Sequence, residues 1–171
     1  ADLFKSSIIY CFDGDKRSVE LFNKLSKEHK NIKLVETILA DTDGETDWFE
    51  SKSETKRHYD FQNSWSASSS IKKPDNHLNL FKNISFSDAK KIKSTKLDTW
   101  IEDNPQIDII DIMWVDVNGG EEEFLNGAKR ALEKTKFLYI EFSGVKNKKL
   151  YKNCFTKDEI KNKLPNFKEE G

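Results

Sequence analysis

This sequence is short of the residues that cross-link chains or anchor them in membranes. Its 171 residues include two cysteines, three prolines and one methionine. Cys11 and Cys154 make at most one bridge, so a disulfide scaffold is excluded. Cys11 falls in an apolar strand pattern and reads as a buried thiol. No apolar run approaches the roughly 18 residues needed to cross a bilayer, and no signal peptide opens the chain. An excess of one charge is lacking too. The 29 basic and 30 acidic residues leave a net charge of -1, which offers no electrostatic footprint for nucleic acid or an anionic membrane. His29, His58 and His77 have no metal-ligand spacing with cysteine and read as surface or local hydrogen-bonding groups. A Ser/His/Asp elbow, a zinc pattern and a phosphate-binding GxxxxGK[ST] are all missing. The expectation is a soluble, cytoplasmic protein of one domain, without membrane span, bound metal or nucleic-acid partner.

What the chain does have is concentrated in residues 109–128, IIDIMWVDVNGGEEEFLNGA. Residues 109–117 form a nearly continuous apolar run closed by Asp116, the pattern of a strand buried on both faces of a parallel sheet. Asn118-Gly119-Gly120 forces a tight turn. Glu121, Glu122 and Glu123 favour the positive end of a new helix, whose apolar face carries Phe124, Leu125, Ala128, Ala131 and Leu132. Ligands of open α/β sheets sit at the carboxyl ends of the strands, so Asp116 points at the site.

The remaining segments repeat the strand–helix alternation of a parallel sheet. Residues 7–12 read as a strand, Asp15 as the cap of a helix over about residues 16–29, and residues 32–40 as a second strand. Residues 45–49 fit a short edge strand and 91–94 another. Residues 97–104 fit a helix stopped by Pro105. Residues 137–142 form a further buried strand ending in Glu141, and Thr156-Lys157-Asp158-Glu159 is a capping box opening a last helix. Residues 51–90 lack periodicity. A stretch this long without firm elements is functional or mobile, and Tyr59, Phe61 and Trp65 favour a lid or substrate loop over a linker. The lysines of residues 146–149 read as a solvated surface.

Asp13, Asp116 and Glu141 each end a strand, and parallel strands bring such ends to one edge. Three carboxylates around one crevice suit ribose hydroxyls or a general base. Taken singly, Asp13 and Asp116 also read as turn residues, and Glu121 as a charge at a helix start rather than a catalyst.

The segment IDIMWVDVNGGEEEFLNGAKRAL resembles the signature of FkbM-type S-adenosylmethionine-dependent methyltransferases, in which a strand ends in D-V-(E/Q)-G-A-E and runs into a Leu-x-Gly-Ala helix. IYCFDGDKRSVELFNKL, ILADTDGETDWFE, STKLDTWIED and LYIEFSGV with LYKNCFTKDEIKNKL resemble the family's other segments in order and spacing. Asn118 and Trp114 depart mildly from the family pattern. The resemblance implies a Rossmann-like class I methyltransferase sheet, mostly parallel. It further implies that the chain lacks that sheet's first strand, with its glycine-rich loop, and its final hairpin strands, so that residues 1–171 are a partial domain. It implies S-adenosyl-L-methionine as cofactor, with Asp13 on the ribose hydroxyls, Leu39, Ala40 and Asp41 bordering the adenine, and Asp116 facing the reacting centre. The implied reaction is O-methylation of a sugar, glycan or small natural product, with Asp116 as the first candidate base and Glu141 as the second. Two rival readings stay open: a degenerate methyltransferase-like binding domain, and an unrelated doubly wound nucleotide-binding domain.

Overall fold

The computed structural model describes residues 4–53, 66–142, 144–145 and 148–170. Its first unit is a strand–helix–strand. β1 (Ile9–Phe12) and β2 (Ile32–Val35) run parallel, with Ile9 opposite Ile32 and Phe12 opposite Val35. Between them lies α1 (Lys16–Leu25), capped by Asp15. The helix stops at Leu25 because the Ser26 hydroxyl turns back to the Phe22 carbonyl at 2.7 Å. The expected second strand is broken after β2. Thr37, buried, sends its N–H to the Val35 carbonyl, and β3 (Ile38–Leu39) leaves for another sheet.

β4 (Gly44–Trp48) follows, then β5 (Ser51–Ser53), α2 (His77–Leu80), β6 (Ile84–Phe86) and β7 (Lys90–Thr95). β7 lies between β3, to which it is parallel, and β4, to which it is antiparallel. β5 and β6 pair antiparallel. Residues 51–90 therefore carry two strands and a helical turn that periodicity does not announce. Tyr59, Phe61 and Trp65, on which the lid reading rests, lie outside the described residues.

The second parallel unit is built from α3 (Leu97–Glu102), β8 (Ile110–Val115), α4 (Glu121–Gly127), α5 (Lys129–Glu133) and β9 (Thr135–Ile140). β8 and β9 are parallel, with Ile112 opposite Phe137 and Val115 opposite Ile140. The short β10 (Gly144–Val145) and β11 (Lys148–Lys149) form a hairpin. α6 (Lys157–Lys163) opens on the expected Thr156–Glu159 capping box.

The core gathers Leu97 and Ile101 of α3, Met113 and Val115 of β8, Phe124 and Leu125 of α4, Ala128, Ala131 and Ile160. Each large side chain removed from water here contributes about 1.5–3 kcal/mol. β8 obeys a period of two rather than being covered on both faces. Met113 and Val115 point inward, while Ile112 and Trp114 are exposed, as are Phe137 and Tyr139 on β9. Gly127 sets how closely α4 approaches the end of β3, since a Cβ there would collide with the Ala40 carbonyl oxygen. The end of β3 and α4 therefore touch through backbone. Among the described residues no helix is long and apolar enough to cross a membrane.

Candidate functional site at the strand ends

Each parallel pair ends in an acid. Asp13 follows β1, and its N–H still pairs with the Val35 carbonyl. Its Oδ1 accepts the Asp15 N–H at 2.8 Å. Burial pushes the Asp13 carboxyl above its ordinary range, more than the hydrogen bonds from the Asp15 N–H and Ser18 pull it down. Gly14 then packs closely on Ile38 and Ile92, where a Cβ would lie 3.0 Å from the nearest Ile38 atom.

Asp116 follows β8 and is exposed. Partial desolvation raises its carboxyl above the ordinary value, and the Asn118 N–H opposes this. Glu141 follows β9, and its N–H donates to the Val115 carbonyl at 2.9 Å. Asp116 and Glu141 thus stand on neighbouring strands at one sheet end. The three residues expected around an adenine differ from one another. Leu39 is half-buried against the core. Ala40 is buried, with its N–H donated to the Thr95 carbonyl at 3.0 Å. Asp41 is exposed.

Residues 66–70 connect the two acid-bearing ends. On one side, Ser66 Oγ lies 3.0 Å from Ser18 Oγ, and Ser69 Oγ donates to Asp15 at 3.4 Å. Asp15 is also ion-paired with Arg17 at 2.5 Å, and the Arg17 Nη1 reaches the Ser51 carbonyl at 2.8 Å. On the other side, Ser70 Oγ donates to the Asn118 carbonyl at 2.6 Å, and Asn118 Nδ2 donates to the Ala67 carbonyl at 3.2 Å. Phe49 and Ser70 also form a two-way backbone bridge. The Asp13 and Asp116 ends are therefore tied to one strap.

Beneath the Asn118–Gly119–Gly120 turn sits Tyr151, whose hydroxyl donates to the Ser68 carbonyl at 2.8 Å. Burial first, then the charges of Asp116 and Glu121, push its phenol well above the usual range. His77 packs on it with ring centroids 5.6 Å apart, and on Phe81 and Phe86. The surface reading of His77 is thereby corrected: it is buried, and burial lowers its pKa. Glu121, expected as a helix-start charge, is 1% exposed and accepts the Gly119 N–H at 2.9 Å. Cys11, expected to be buried, is only half so.

Asp15, Arg17, the serine strap, Tyr151 and Glu121 shape the site without being assigned to it by any sequence pattern. Asp15 shows itself in the sequence only as a cap. The serine run carries no local sign of burial, because its partners lie far along the chain. Among the described residues no group of three or more His, Cys, Asp or Glu side chains is placed to hold a metal ion.

Parallel strands that end in carboxylates, with a glycine turn leading into a helix, define an α/β protein, a class whose ligands sit at the carboxyl ends of the strands. The chain belongs to the methyltransferase FkbM domain family, which matches residues 9–168. It is 28% identical over 159 residues to the 2-O-methyltransferase NoeI of Sinorhizobium fredii (strain NBRC 101917 / NGR234). That match covers 93% of this chain and 62% of the relative, so the chain spans less than two thirds of that protein's length. No solved structure matches the chain significantly.

Proposed function

We propose that this chain is the core of an S-adenosylmethionine-dependent O-methyltransferase whose acceptor is a hydroxyl of a sugar, glycan or small natural product. The observation that carries the reading is the placement of Asp13, Asp116 and Glu141 at the ends of parallel strands, with residues 66–70 spanning from the Asp15–Arg17 pair to the Asn118 turn. Membership of a methyltransferase family supports methyl transfer, and the 2-O-methyltransferase relative supports an oxygen acceptor. The two parallel pairs, β1–β2 and β8–β9, belong in this reading to one Rossmann-like class I sheet. Their unpaired edges among the described residues suit that arrangement.

The residues present fit the proposed cofactor. Asp13 is a half-buried carboxylate before a glycine, and its remaining lone pairs suit two ribose hydroxyls. Leu39 and Asp41 offer an apolar and a polar edge for an adenine, and the buried Ala40 between them in sequence is tied to Thr95. When bound, the cofactor supplies an electrophilic methyl group. Asp116 takes the acceptor's hydroxyl proton, and its raised pKa makes it a better base than an ordinary carboxylate. Glu141, next to it, is the second candidate for that proton. Much of the rate enhancement then comes from holding the acceptor in line.

The test uses the full-length protein with methyl-labelled S-adenosylmethionine. Equilibrium dialysis measures binding, and a panel of sugars, glycans and small alcohols serves as acceptors. Binding with label recovered as an O-methyl ether is the expected result. Binding without transfer to any acceptor favours a degenerate binding domain, and no binding at all sinks the reading.

A further inference from the structure

We propose that Arg17 is a positioning residue for Asp13, holding that carboxylate through Asp15 where a ribose would meet it. The proposal rests on the reading of Asp13 as the acceptor of ribose hydroxyls and extends it to a side chain that touches no ligand.

Asp13 Oδ1 accepts the Asp15 N–H at 2.8 Å. This closes a small ring across Gly14, a side chain bonded to the backbone two residues on. Gly14 packs on Ile38 and Ile92, so the loop has no room to shift toward them. The ring closes only while the Asp15 N–H points back at Asp13, and the Asp15 side chain sets that direction. It is buried and accepts three bonds from Arg17: the backbone N–H at 3.0 Å, Nε at 2.9 Å and Nη2 at 2.5 Å. Capping α1 needs only the first of these, which asparagine or serine would supply without burying a charge. The guanidinium fork adds something a cap lacks, because two parallel bonds fix the plane of a carboxylate as well as its distance.

Arg17 is itself held. Its Nη1 donates to the Ser51 carbonyl at 2.8 Å and its Nη2 to Ser69 Oγ at 3.2 Å. Ser69 Oγ accepts the Ser51 N–H at 3.0 Å and donates to Asp15 at 3.4 Å. Glu50 competes weakly for the fork, lying 3.8 Å from Nη2 and pairing with Lys90 at 2.8 Å. The strap that carries Ser69 is anchored at its other end, where Ser70 Oγ accepts the Lys72 N–H at 2.8 Å and donates to the Asn118 carbonyl. Hydrogen bonds thus run without a gap from the strap to Arg17, to Asp15, and to the Asp13 carboxylate.

The experiment compares the wild-type full-length protein with Arg17→Lys and Ser69→Ala. The probes are S-adenosylhomocysteine and its 2′,3′-dideoxyribose analogue, titrated by calorimetry. Thermal midpoints and exchange protection of the Asp15 amide by NMR are read beside them. Arg17→Lys keeps a charge next to Asp15 and loses the fork. Its affinity for the ribose probe falls about 10-fold, that for the dideoxy probe stays within about two-fold, and the Asp15 amide exchanges faster. Ser69→Ala shifts the same quantities in the same direction by less. If Arg17→Lys does not fold, Ser69→Ala carries the test, because Asp15 keeps its ion pair there. Equal losses on both probes, or an unchanged affinity for the ribose probe, overturn the proposal and leave Arg17 a purely structural residue. A wild-type protein that binds the two probes equally, or neither, sinks the ribose reading of Asp13. Faster Asp15 exchange in the variants then still supports the hold on the Asp13 carboxylate, and unchanged exchange overturns it.

Discussion

Two regions of this protein reverse the usual placement of polar and apolar side chains. Around the strap, Ser51, Ser68, Ser69 and Ser70 are all at most 7% exposed. On the outer face of β8 and β9, Ile112, Trp114, Phe137 and Tyr139 are all at least 51% exposed. The first region is stable because its hydroxyls make hydrogen bonds that replace those lost with water. The second keeps at least half of each side chain in water, and its only close ring contact among the described residues is the Trp114–Tyr139 pair, with centroids 4.5 Å apart. Completeness of hydrogen bonding, rather than side-chain polarity, thus decides which surface this chain can bury. Small polar changes inside should accordingly cost more than a large apolar change outside.

The largest effect belongs to neither region but to the acid between them. Asp116 is exposed, so activity and stability separate there. Asp116→Asn lowers methyl transfer by roughly 10²–10⁴, the range for a lost general base, and single-turnover assays with labelled cofactor read it. Urea unfolding of the same variant shifts by less than about 0.5 kcal/mol, as for other surface substitutions. Retained activity would leave Glu141 as the base.

The strap's anchor comes next. Burial pushes the Asp15 carboxyl up, but the Arg17 hydrogen bond and charge more than compensate, and its pKa lies below the ordinary value. A carboxyl with a depressed folded pKa stabilises the fold above its unfolded value, near about 4, and loses that contribution as pH falls through the folded value. Asp15→Asn leaves Arg17 without its close partner and costs about 3 kcal/mol at neutral pH. It also flattens the loss of stability below about pH 4. Asp13 slopes the other way. Its raised pKa means that folding favours the protonated form, so that contribution is present below the unfolded value and fades as pH rises through the folded one. Urea midpoints across pH for the two Asn variants distinguish the two signs.

Backbone freedom under the turn gives an intermediate effect. Gly119→Ala meets both an unfavourable φ of 93° and the Tyr151 ring at 2.8 Å, and together these cost roughly 2–3 kcal/mol. Gly44→Ala is the control. Its φ is 122° with nothing within 4 Å, so only the conformational part, roughly 1 kcal/mol, remains. Equal losses in the two variants would show that Tyr151 does not support the turn.

The parts of this molecule that can be read in its sequence are those whose causes are local. The run ending at Asp116, the glycine turn, α4, the Asp15 cap and the Thr156 box all follow from neighbours within a few positions. The break in the expected strand over residues 32–40 is not legible, because β3 is claimed by β7 from more than fifty positions away. The strap is hidden for the same reason. Ser70 finds Asn118 across 48 positions, and Tyr151 finds Ser68 across 83. A serine run advertises a loop, and burial by distant partners leaves no periodic trace. Of the candidate site, the acids at the strand ends are legible, since a strand's last residue is a local fact. What surrounds them is not.

The smallest predicted effect tests the outer face directly. Trp114 is 70% exposed and touches Tyr139. In this chain Trp114→Ser forfeits little transfer energy, because that indole surface is already in water, and loses only an aromatic contact of about 0.5–1.5 kcal/mol. Its urea midpoint therefore moves less than that of Ser70→Ala, which strands the buried Asn118 carbonyl and the Lys72 N–H at about 1–3 kcal/mol. Measured side by side at the same pH, the two variants rank the regions. Should the tryptophan prove the costlier loss, the outer face would have to be packed in solution, and the contrast between a satisfied polar interior and an idle apolar exterior would fail.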